Sequence, residues 1–273
     1  MSPDAGSYSG VMNALETIPS DTKVVPGAEP LTLVAANSPV SVVLIHGYTG
    51  YTGDLYDIAR HMHSRGYTMH LPRLPGHGTN SGDFLASDHR MWLRAAVDAY
   101  LTAAAWGNPV VVMGHSMGGA LAACIAAQFT VAGVALLTPA FQTVSKLVPL
   151  APLLRYFTKP YRKAESEVED HTDPNLRYMA AEYWDWNWPG PTAELYALIR
   201  KGRRALPHIT APTFTLAARK DTAVPAEVIE LVRQKLGSAH HQELMLENSG
   251  HMFMREGEMD VVYRELYSWL ETL

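Results

Sequence analysis

Apolar segments of strand length alternate with segments of helical periodicity through most of this chain, and no other feature constrains its fold as much. Residues 41–47 (SVVLIHG), 110–114 (VVVMG) and 212–218 (PTFTLAA) are short, apolar and rich in strand-forming side chains. Helical patterns lie between such runs, and the longest covers residues 89–107 (HRMWLRAAVDAYLTAAAWG). Strands that alternate with helices of this length predict βαβ units. We therefore expect an α/β fold with a mostly parallel central sheet and helices on both faces.

The alternation stops between residues 141 and 207, a stretch of 67 residues that is punctuated by proline and rich in aromatic and charged side chains. This stretch contains no apolar run of the kind that forms a buried strand. We predict an α/β core formed by residues 1–140 and 208–273, and an inserted lid formed by residues 141–207. A chain of 273 residues is long enough for one such domain with an insertion.

The charge balance and the single cysteine argue against several kinds of partner. The chain has 22 Lys and Arg against 27 Asp and Glu, and a net charge of −5 gives no electrostatic footprint for nucleic acid. Cys124 alone cannot form an internal disulfide or a cysteine-based zinc site. His61 and His63 are two positions apart on a predicted helix and face different sides of it. We therefore expect no metal site and no nucleic-acid partner.

The expected location of the protein depends on two features that the sequence lacks. Residues 1–20 (MSPDAGSYSGVMNALETIPS) have neither the basic stretch nor the apolar stretch of a secretory signal. No apolar run approaches the roughly 18 residues that a transmembrane helix needs. We predict a cytoplasmic protein without a transmembrane segment, and the oligomeric state stays open.

A serine between two glycines marks the junction of a predicted strand with a predicted helix. The motif reads Gly114-His115-Ser116-Met117-Gly118. A serine hydroxyl is a poor nucleophile, so it needs a neighbouring base and a position clear of the sheet. Gly-x-Ser-x-Gly between a strand and a helix places the serine on a sharp, strained turn, where the glycines avoid Cβ clashes. The same turn places the N–H of Met117 at a helix N-terminus, where it suits an oxyanion.

A base and an orienting acid are expected later in the chain, on loops at the carboxyl ends of strands. His251 follows the last predicted strand and Asp221 follows the strand before it. The order Ser116, Asp221, His251 fits a nucleophile, an orienting carboxylate and a general base. Glu247, near the end of the last strand, is a second candidate for the acid. His115 adjoins the serine and cannot readily act as its base.

The loop His46-Gly47-Tyr48-Thr49-Gly50, which follows an early strand, is the expected source of a second oxyanion donor. Gly47 lets the backbone turn, and the N–H of Tyr48 is the candidate donor. A nucleotide site is not favoured here, because the loop has neither a Walker lysine nor the Gly-x-Gly-x-x-Gly spacing.

Four motifs taken together, HGYTG, GHSMGG, RKDTAVP and NSGHMF, resemble those of the α/β-hydrolase superfamily over residues 41–271. Within it, GYTMHLPRLPGHG and GHSMGGALA resemble the bacterial carboxylesterase and monoacylglycerol lipase branch. The resemblance implies ester hydrolysis through an acyl-serine intermediate, without a cofactor and with a lid over an acyl pocket. It also implies a triad of Ser116, Asp221 and His251, with an oxyanion hole formed by the backbones of Tyr48 and Met117.

We therefore expect a serine esterase that cleaves short- to medium-chain carboxylic esters, monoacylglycerols included, and whose partner is a small-molecule ester. Two alternatives stay open. The same triad can act on an amide, a thioester or a C–C bond, because these activities share the fold and the triad. The chain can also be a hydrolase-fold receptor that binds a small ligand with little turnover.

The predicted lid is longer than the compact lids of that branch, and it contains two apolar pieces. Trp184, Trp186 and Trp188 in YWDWNWPGP either form a small core within the lid or line a site for an acyl chain or an aromatic acid. The second piece, KLVPLAPLLRYF (146–157), either borders the acyl site or makes peripheral contact with a lipid surface.

Overall fold

The computed structural model describes residues 22–165 and 170–273, so the prediction made for residues 1–20 lies outside the described residues. The strands are β1 (Leu31–Leu33), β2 (Ser41–Ile45), β3 (Thr68–Leu71), β4 (Val110–His115), β5 (Gly133–Leu137), β6 (Tyr161–Arg162), β7 (Trp186–Asn187), β8 (Thr213–Ala218) and β9 (His241–Leu246). The α-helices are α1 (Tyr56–Ser64), α2 (Ser81–Ala86), α3 (His89–Ala104), α4 (Met117–Ala126), α5 (Ala151–Leu154), α6 (Pro174–Met179), α7 (Pro189–Ala205), α8 (Val228–Lys235) and α9 (Met259–Leu270). None of the helices in the two described ranges is long and apolar enough to cross a bilayer.

Seven strands form one sheet in the order β1-β3-β2-β4-β5-β8-β9. Strand β1 is antiparallel to β3, and every other neighbouring pair in this sheet is parallel. At the centre, Val112 of β4 lies opposite Val43 of β2 and Val134 of β5. The predicted mostly parallel sheet is confirmed. In such a sheet, the loops that follow the parallel strands gather along one edge.

Side chains of the central strands alternate between two apolar cores, one on each face of the sheet. In β4, Val110 and Val112 belong to the core that is covered by α3, α4 and α7. Val111 and Met113 belong to the core that is covered by α1 and α9. Strands that are buried and apolar on both sides are typical of parallel sheets between helical layers. The predicted helices on both faces are confirmed.

The chain between β5 and β8 contains helices α5, α6 and α7, and its strands β6 and β7 form a small antiparallel sheet of two strands. Helix α7 packs against α4, and a Cβ added at Gly202 would lie 2.9 Å from the Cβ of Ala120. Trp188 and Leu198 belong to the same core as Trp92 of α3. Helix α7 and Trp188 are therefore packed against one face of the sheet. The division into core and lid at residues 141 and 207 stays a prediction.

Gly202→Ala tests how closely α7 packs on α4. The added methyl group would lie 2.9–3.0 Å from Ala120 and Phe141. We expect the free energy of unfolding to fall by about 1–3 kcal/mol, as is usual for an overpacked core. Gly190→Ala, near the start of the same helix, is the matched control, because a Cβ there meets nothing within 4 Å. Denaturant unfolding followed by circular dichroism measures both variants, and equal stabilities would contradict the close contact of the two helices.

Candidate active site

Ser116 lies in the turn between β4 and α4, with backbone angles φ 55° and ψ −117°. A residue with a side chain pays about 1–3 kcal/mol for a backbone conformation of this kind. The turn is so tight that a Cβ at Gly114 would lie 2.0 Å from the carbonyl oxygen of Gly118. A Cβ at Gly118 would lie 2.1 Å from the carbonyl oxygen of Ile45. Both positions therefore require glycine, and Ser116, at the corner between them, is nearly buried but lines a pocket.

The structure brings Ser116, Asp221 and His251 into one chain of hydrogen bonds. The Nδ1 of His251 lies 2.7 Å from Oδ2 of Asp221, and its Nε2 lies 2.9 Å from Oγ of Ser116. A carboxylate only accepts hydrogen bonds, so Nδ1 carries the ring proton and donates it to Asp221. Nε2 is then free to accept the hydrogen of the Ser116 hydroxyl. This is the tautomer that a general base needs.

The carboxylate of Asp221 is fixed at both oxygens. While Oδ2 accepts from His251, Oδ1 accepts the backbone N–H groups of Ala223 and Val224, each at 2.8 Å. The Asp221 side chain is only 1% exposed. Glu247, the second candidate acid, instead pairs with Arg219 at 3.3 Å and is 62% exposed. The geometry therefore favours Asp221 over Glu247 as the partner of the histidine.

The two proposed oxyanion donors lie on either side of the serine. Met117 is the first residue of α4, and Tyr48 is in the loop after β2. That loop touches the serine, since a Cβ at Gly47 would lie 3.1 Å from the Cβ of Ser116. Among the described residues, neither the N–H of Tyr48 nor that of Met117 donates to a protein acceptor. Free N–H groups beside a nucleophile are what an oxyanion hole requires, and this role stays a prediction.

His115 holds the loop that carries His251 through a contact that the sequence did not indicate. Its Nε2–H donates to the backbone carbonyl oxygen of His251 at 3.0 Å, and the two ring centroids are 4.9 Å apart. Burial lowers the pKa of His115 to about 3, so the ring is neutral at pH 7. The contact joins residues 136 positions apart. In the sequence, only the position of His115 next to Ser116 could have indicated this contact.

Two further buried histidines brace neighbouring loops. The Nε2 of His46 accepts the N–H of Leu74 at 3.1 Å, and its Nδ1–H donates to the carbonyl oxygen of Gly47 at 3.0 Å. The Nδ1–H of His77 donates to the carbonyl oxygen of Pro75 at 2.9 Å, whereas its buried Nε2 has no partner among the described residues. Burial lowers the pKa of His46 to about 3 and that of His77 to about 4. Both rings are therefore neutral at pH 7.

A pocket of about 450 Å³ opens over Ser116 and His251. Its far wall comes from the segment between β5 and β8, and Trp184, Trp186 and Trp188 all contribute to it. The three tryptophans do not form one extended run. Trp184 ends a single π-helical turn, Trp186 is in β7, and Trp188 immediately precedes α7.

Each tryptophan in this wall is also held by its indole N–H. Trp184 donates to the carbonyl oxygen of Thr49 at 3.0 Å, and Trp188 donates to that of Tyr183 at 2.8 Å. The rings of Trp186 and Trp188 are 5.9 Å apart, and Trp188 is buried. The cluster is thus both a small core and a pocket wall, and its contact with a substrate stays a prediction.

An ion pair at the pocket ties the loop after β2 to the loop that carries His251. The Nη2 of Arg255 lies 2.6 Å from Oδ1 of Asp54, and the guanidinium carbon of Arg255 lies 5.8 Å from the ring centroid of Trp184. Burial raises the pKa of the Asp54 carboxyl, and the nearby guanidinium opposes that rise. Across residues 22–165 and 170–273, no group of three His, Cys, Asp or Glu side chains is placed to hold a metal ion.

Comparison with known proteins agrees with this geometry. The model of the alpha/beta hydrolase family matches residues 42–265. The chain is 26% identical over 235 residues to a carboxylesterase of Bacillus subtilis (strain 168), and the aligned region covers 85% of this chain and 93% of the relative. It is 28% identical over 233 residues to a thermostable monoacylglycerol lipase of Bacillus sp. (strain H-257), with coverages of 84% and 88%.

A solved structure is similar over nearly the whole chain. It is described with the metagenome-derived lipolytic enzymes LipS and LipT, with a TM-score of 0.81 and 26% identity. The similarity covers 92% of this chain and 100% of that one. Together with the family match, these findings confirm the resemblance that the four sequence motifs indicated.

The buried neutral histidines predict a loss of stability in mild acid. In the folded protein His46, His77 and His115 have pKa values of about 3–4, whereas an unfolded histidine titrates near pH 6.5. Their contribution to stability is therefore complete above about pH 6.5 and is lost as the pH falls towards 4. In that window each one should lower the free energy of unfolding by about 1.4 kcal/mol per pH unit.

His77→Phe removes one of these groups. We expect the slope of unfolding free energy against pH between pH 6 and 5 to be about 1.4 kcal/mol per unit shallower in this variant. Urea unfolding at each pH measures the slope, and His240→Gln, at an exposed position, is the control. Identical slopes for His77→Phe and wild type would contradict the assignment.

Proposed function

The chain belongs to the alpha/beta hydrolase family as a member of esterase or lipase type, and we propose that it cleaves carboxylic esters through an acyl-serine intermediate. The proposed substrates are esters of short- to medium-chain acids, monoacylglycerols among them. One observation carries the proposal: hydrogen bonds run without a break from Asp221 through His251 to the hydroxyl of Ser116. The names of the two Bacillus relatives support the same class of substrate.

In the first half of the proposed reaction, Oγ of Ser116 attacks the carbonyl carbon of the ester, and Nε2 of His251 takes the hydroxyl proton. The N–H groups of Tyr48 and Met117 stabilise the negative charge on the carbonyl oxygen. His251 then gives its proton to the leaving alcohol, and the acyl group stays on Ser116. Asp221 holds the imidazole in place and stabilises its positive charge.

In the second half, a water molecule attacks the acyl-serine. His251 takes a proton from the water and afterwards returns one to Oγ of Ser116, so the free acid leaves and the enzyme is restored. No step needs a cofactor. The aromatic wall of Trp184, Trp186 and Trp188 lines a pocket of about 450 Å³, a size that suits an acyl chain of limited length.

Removing the nucleophile or its orienting acid tests this mechanism. Ser116→Ala should abolish both labelling by a fluorophosphonate probe and the hydrolysis of p-nitrophenyl esters. Asp221→Asn should lower kcat by roughly 10²–10⁴-fold, because the imidazole loses the partner that fixes its tautomer. Glu247→Gln is the control and should leave kcat unchanged, since Glu247 pairs with Arg219. Full activity in Ser116→Ala would overturn the proposal.

The same assay, extended over ester chain lengths and over monoacylglycerol, aryl-ester, amide and thioester substrates, tests the substrate class. Faster turnover of an amide or a thioester than of any ester would show that this compound class, and not the esters, is the substrate of the triad. Binding without turnover of any of them would favour the receptor alternative. The expected cytoplasmic location stays a prediction.

We also propose that residues 144–161 make peripheral contact with a lipid surface. Exposed apolar side chains concentrate in this range: Val144, Leu147, Leu150, Leu153, Tyr156, Phe157 and Tyr161. Tyr156 and Phe157 are 79% and 78% exposed. No residue between 146 and 157 lines the pocket at Ser116, which favours the lipid alternative over a border of the acyl site.

The charge of this surface suits an anionic bilayer. Lys146 and Lys159 lie within it, and no Asp or Glu occurs between residues 143 and 164. Exposed apolar side chains with basic neighbours are typical of surfaces that lie at a membrane interface. Lys163, two residues beyond this range, lines the pocket over Ser116.

Leu153→Ser with Phe157→Ser should weaken sedimentation with vesicles of phosphatidylglycerol and phosphatidylcholine by about tenfold or more, because two apolar side chains no longer enter the interface. Turnover of a soluble p-nitrophenyl ester should not change. Leu85→Ser with Leu101→Ser removes two exposed apolar side chains from helices α2 and α3 and is the control. Equal binding by all three proteins would rule out this surface.

A further inference from the structure

A second groove lies at the C-terminal end of α7, and it shares no lining residue with the pocket over Ser116. Its volume is about 600 Å³, and its lining includes Arg200, Arg203, Arg204, Lys235 and His208. A smaller depression along the same helix shares Arg200 and Arg204 with it. Neither contains a residue of the active-site pocket.

The spacing along α7 makes these cations converge. Arg200 is three and four positions before Arg203 and Arg204, so the three side chains project from one side of the helix. Lys235 ends α8 and approaches from across the groove. A hydrogen bond of 3.1 Å from the N–H of Gly237 to the carbonyl oxygen of Leu206 holds the two helix ends together.

These cations are unlike most arginines of the chain, because no carboxylate neutralises them. Within the described residues, Arg200, Arg203, Arg204 and Lys235 form no ion pair. Elsewhere on the surface, pairs such as Arg94–Asp98, Arg219–Glu247 and Arg233–Glu230 are formed. Acidic residues outnumber basic ones by 27 to 22, so partners are not scarce in the chain as a whole.

The helix ends account for only part of this cluster. Cations in the last turn of a helix are stabilised by its dipole, which suits Arg203, Arg204 and Lys235. Arg200 lies one turn earlier, where that effect has largely fallen off. Four like charges around one groove repel each other, and an anion bound between them would remove that repulsion.

We propose that the basic groove, defined by Arg200, Arg203, Arg204 and Lys235, binds an anion that carries two or more phosphate groups. Guanidinium groups bind phosphate oxygens in pairs, and several of them together suit a ligand with several negative charges. A soluble polyphosphate compound and a lipid headgroup with several phosphates share this chemistry.

Isothermal titration calorimetry with inorganic tripolyphosphate tests the proposal. We expect saturable binding that weakens as salt is added. Arg200→Gln with Arg204→Gln should lower the affinity by at least about tenfold, because both arginines line the groove and the adjoining depression. Arg60→Gln with Arg90→Gln removes the same charge from helices α1 and α3 and should leave the affinity unchanged.

Vesicles that contain a phosphatidylinositol bisphosphate provide the second arm. Binding to these vesicles through Arg200 and Arg204, without binding of tripolyphosphate, would assign the phosphates to a lipid headgroup. Ester turnover by the Arg200→Gln/Arg204→Gln variant should equal that of wild type, so the result is independent of the proposed catalytic function. No saturable binding in either arm, or equal binding by variant and wild type, would overturn the proposal and leave the cations as stabilisers of the helix ends.

Discussion

The backbones of Gly114, Gly118 and Ile45 lie so close together that neither glycine can carry a side chain, and the geometry of the site depends on this close packing. That packing holds Ser116 at a positive φ between β4 and α4. The cost of this conformation is offset by the packing of a buried strand against a buried helix. The same turn fixes the Ser116 hydroxyl and the N–H of the next residue relative to each other, before any other loop contributes.

The remaining parts of the site come from loops that are distant in sequence and are held by contacts of their own. His251 is fixed at its ring by Asp221 and at its backbone by His115. The pair of Asp54 and Arg255 ties the loop after β2 to the His251 loop. Proposed nucleophile, base and oxyanion donors therefore lie on a connected framework. Helix α7 lines the pocket with Thr192 and the basic groove with Arg200, Arg203 and Arg204.

The sheet was predictable because its strands and helices carry strong local patterns, and the order Ser116, Asp221, His251 followed from the ends of those strands. Helix α2 was not predicted, because it follows a Pro- and Gly-rich stretch that indicates a loop. Its start depends on a single capping hydrogen bond, in which the N–H of Asp83 donates to the side chain of Asn80. The secondary structure of the segment 141–207 was not predictable either. Its strands are two residues long and its tryptophans follow three different local conformations, so no periodicity reveals them. Contacts such as His115 with His251 have no local signature at all.

The hydrogen bond from Trp184 to Thr49 has a consequence for redesign of the enzyme. Thr49 follows Tyr48, so a smaller residue at position 184, chosen to admit bulkier acids, would also release the peptide next to the proposed oxyanion donor. Trp186 instead donates to Ala181, within its own segment. With the roles proposed for these residues, a substitution at position 184 would alter both the pocket wall and the loop of Tyr48, whereas one at position 186 would alter only the pocket wall. A library for altered acyl preference would begin at position 186.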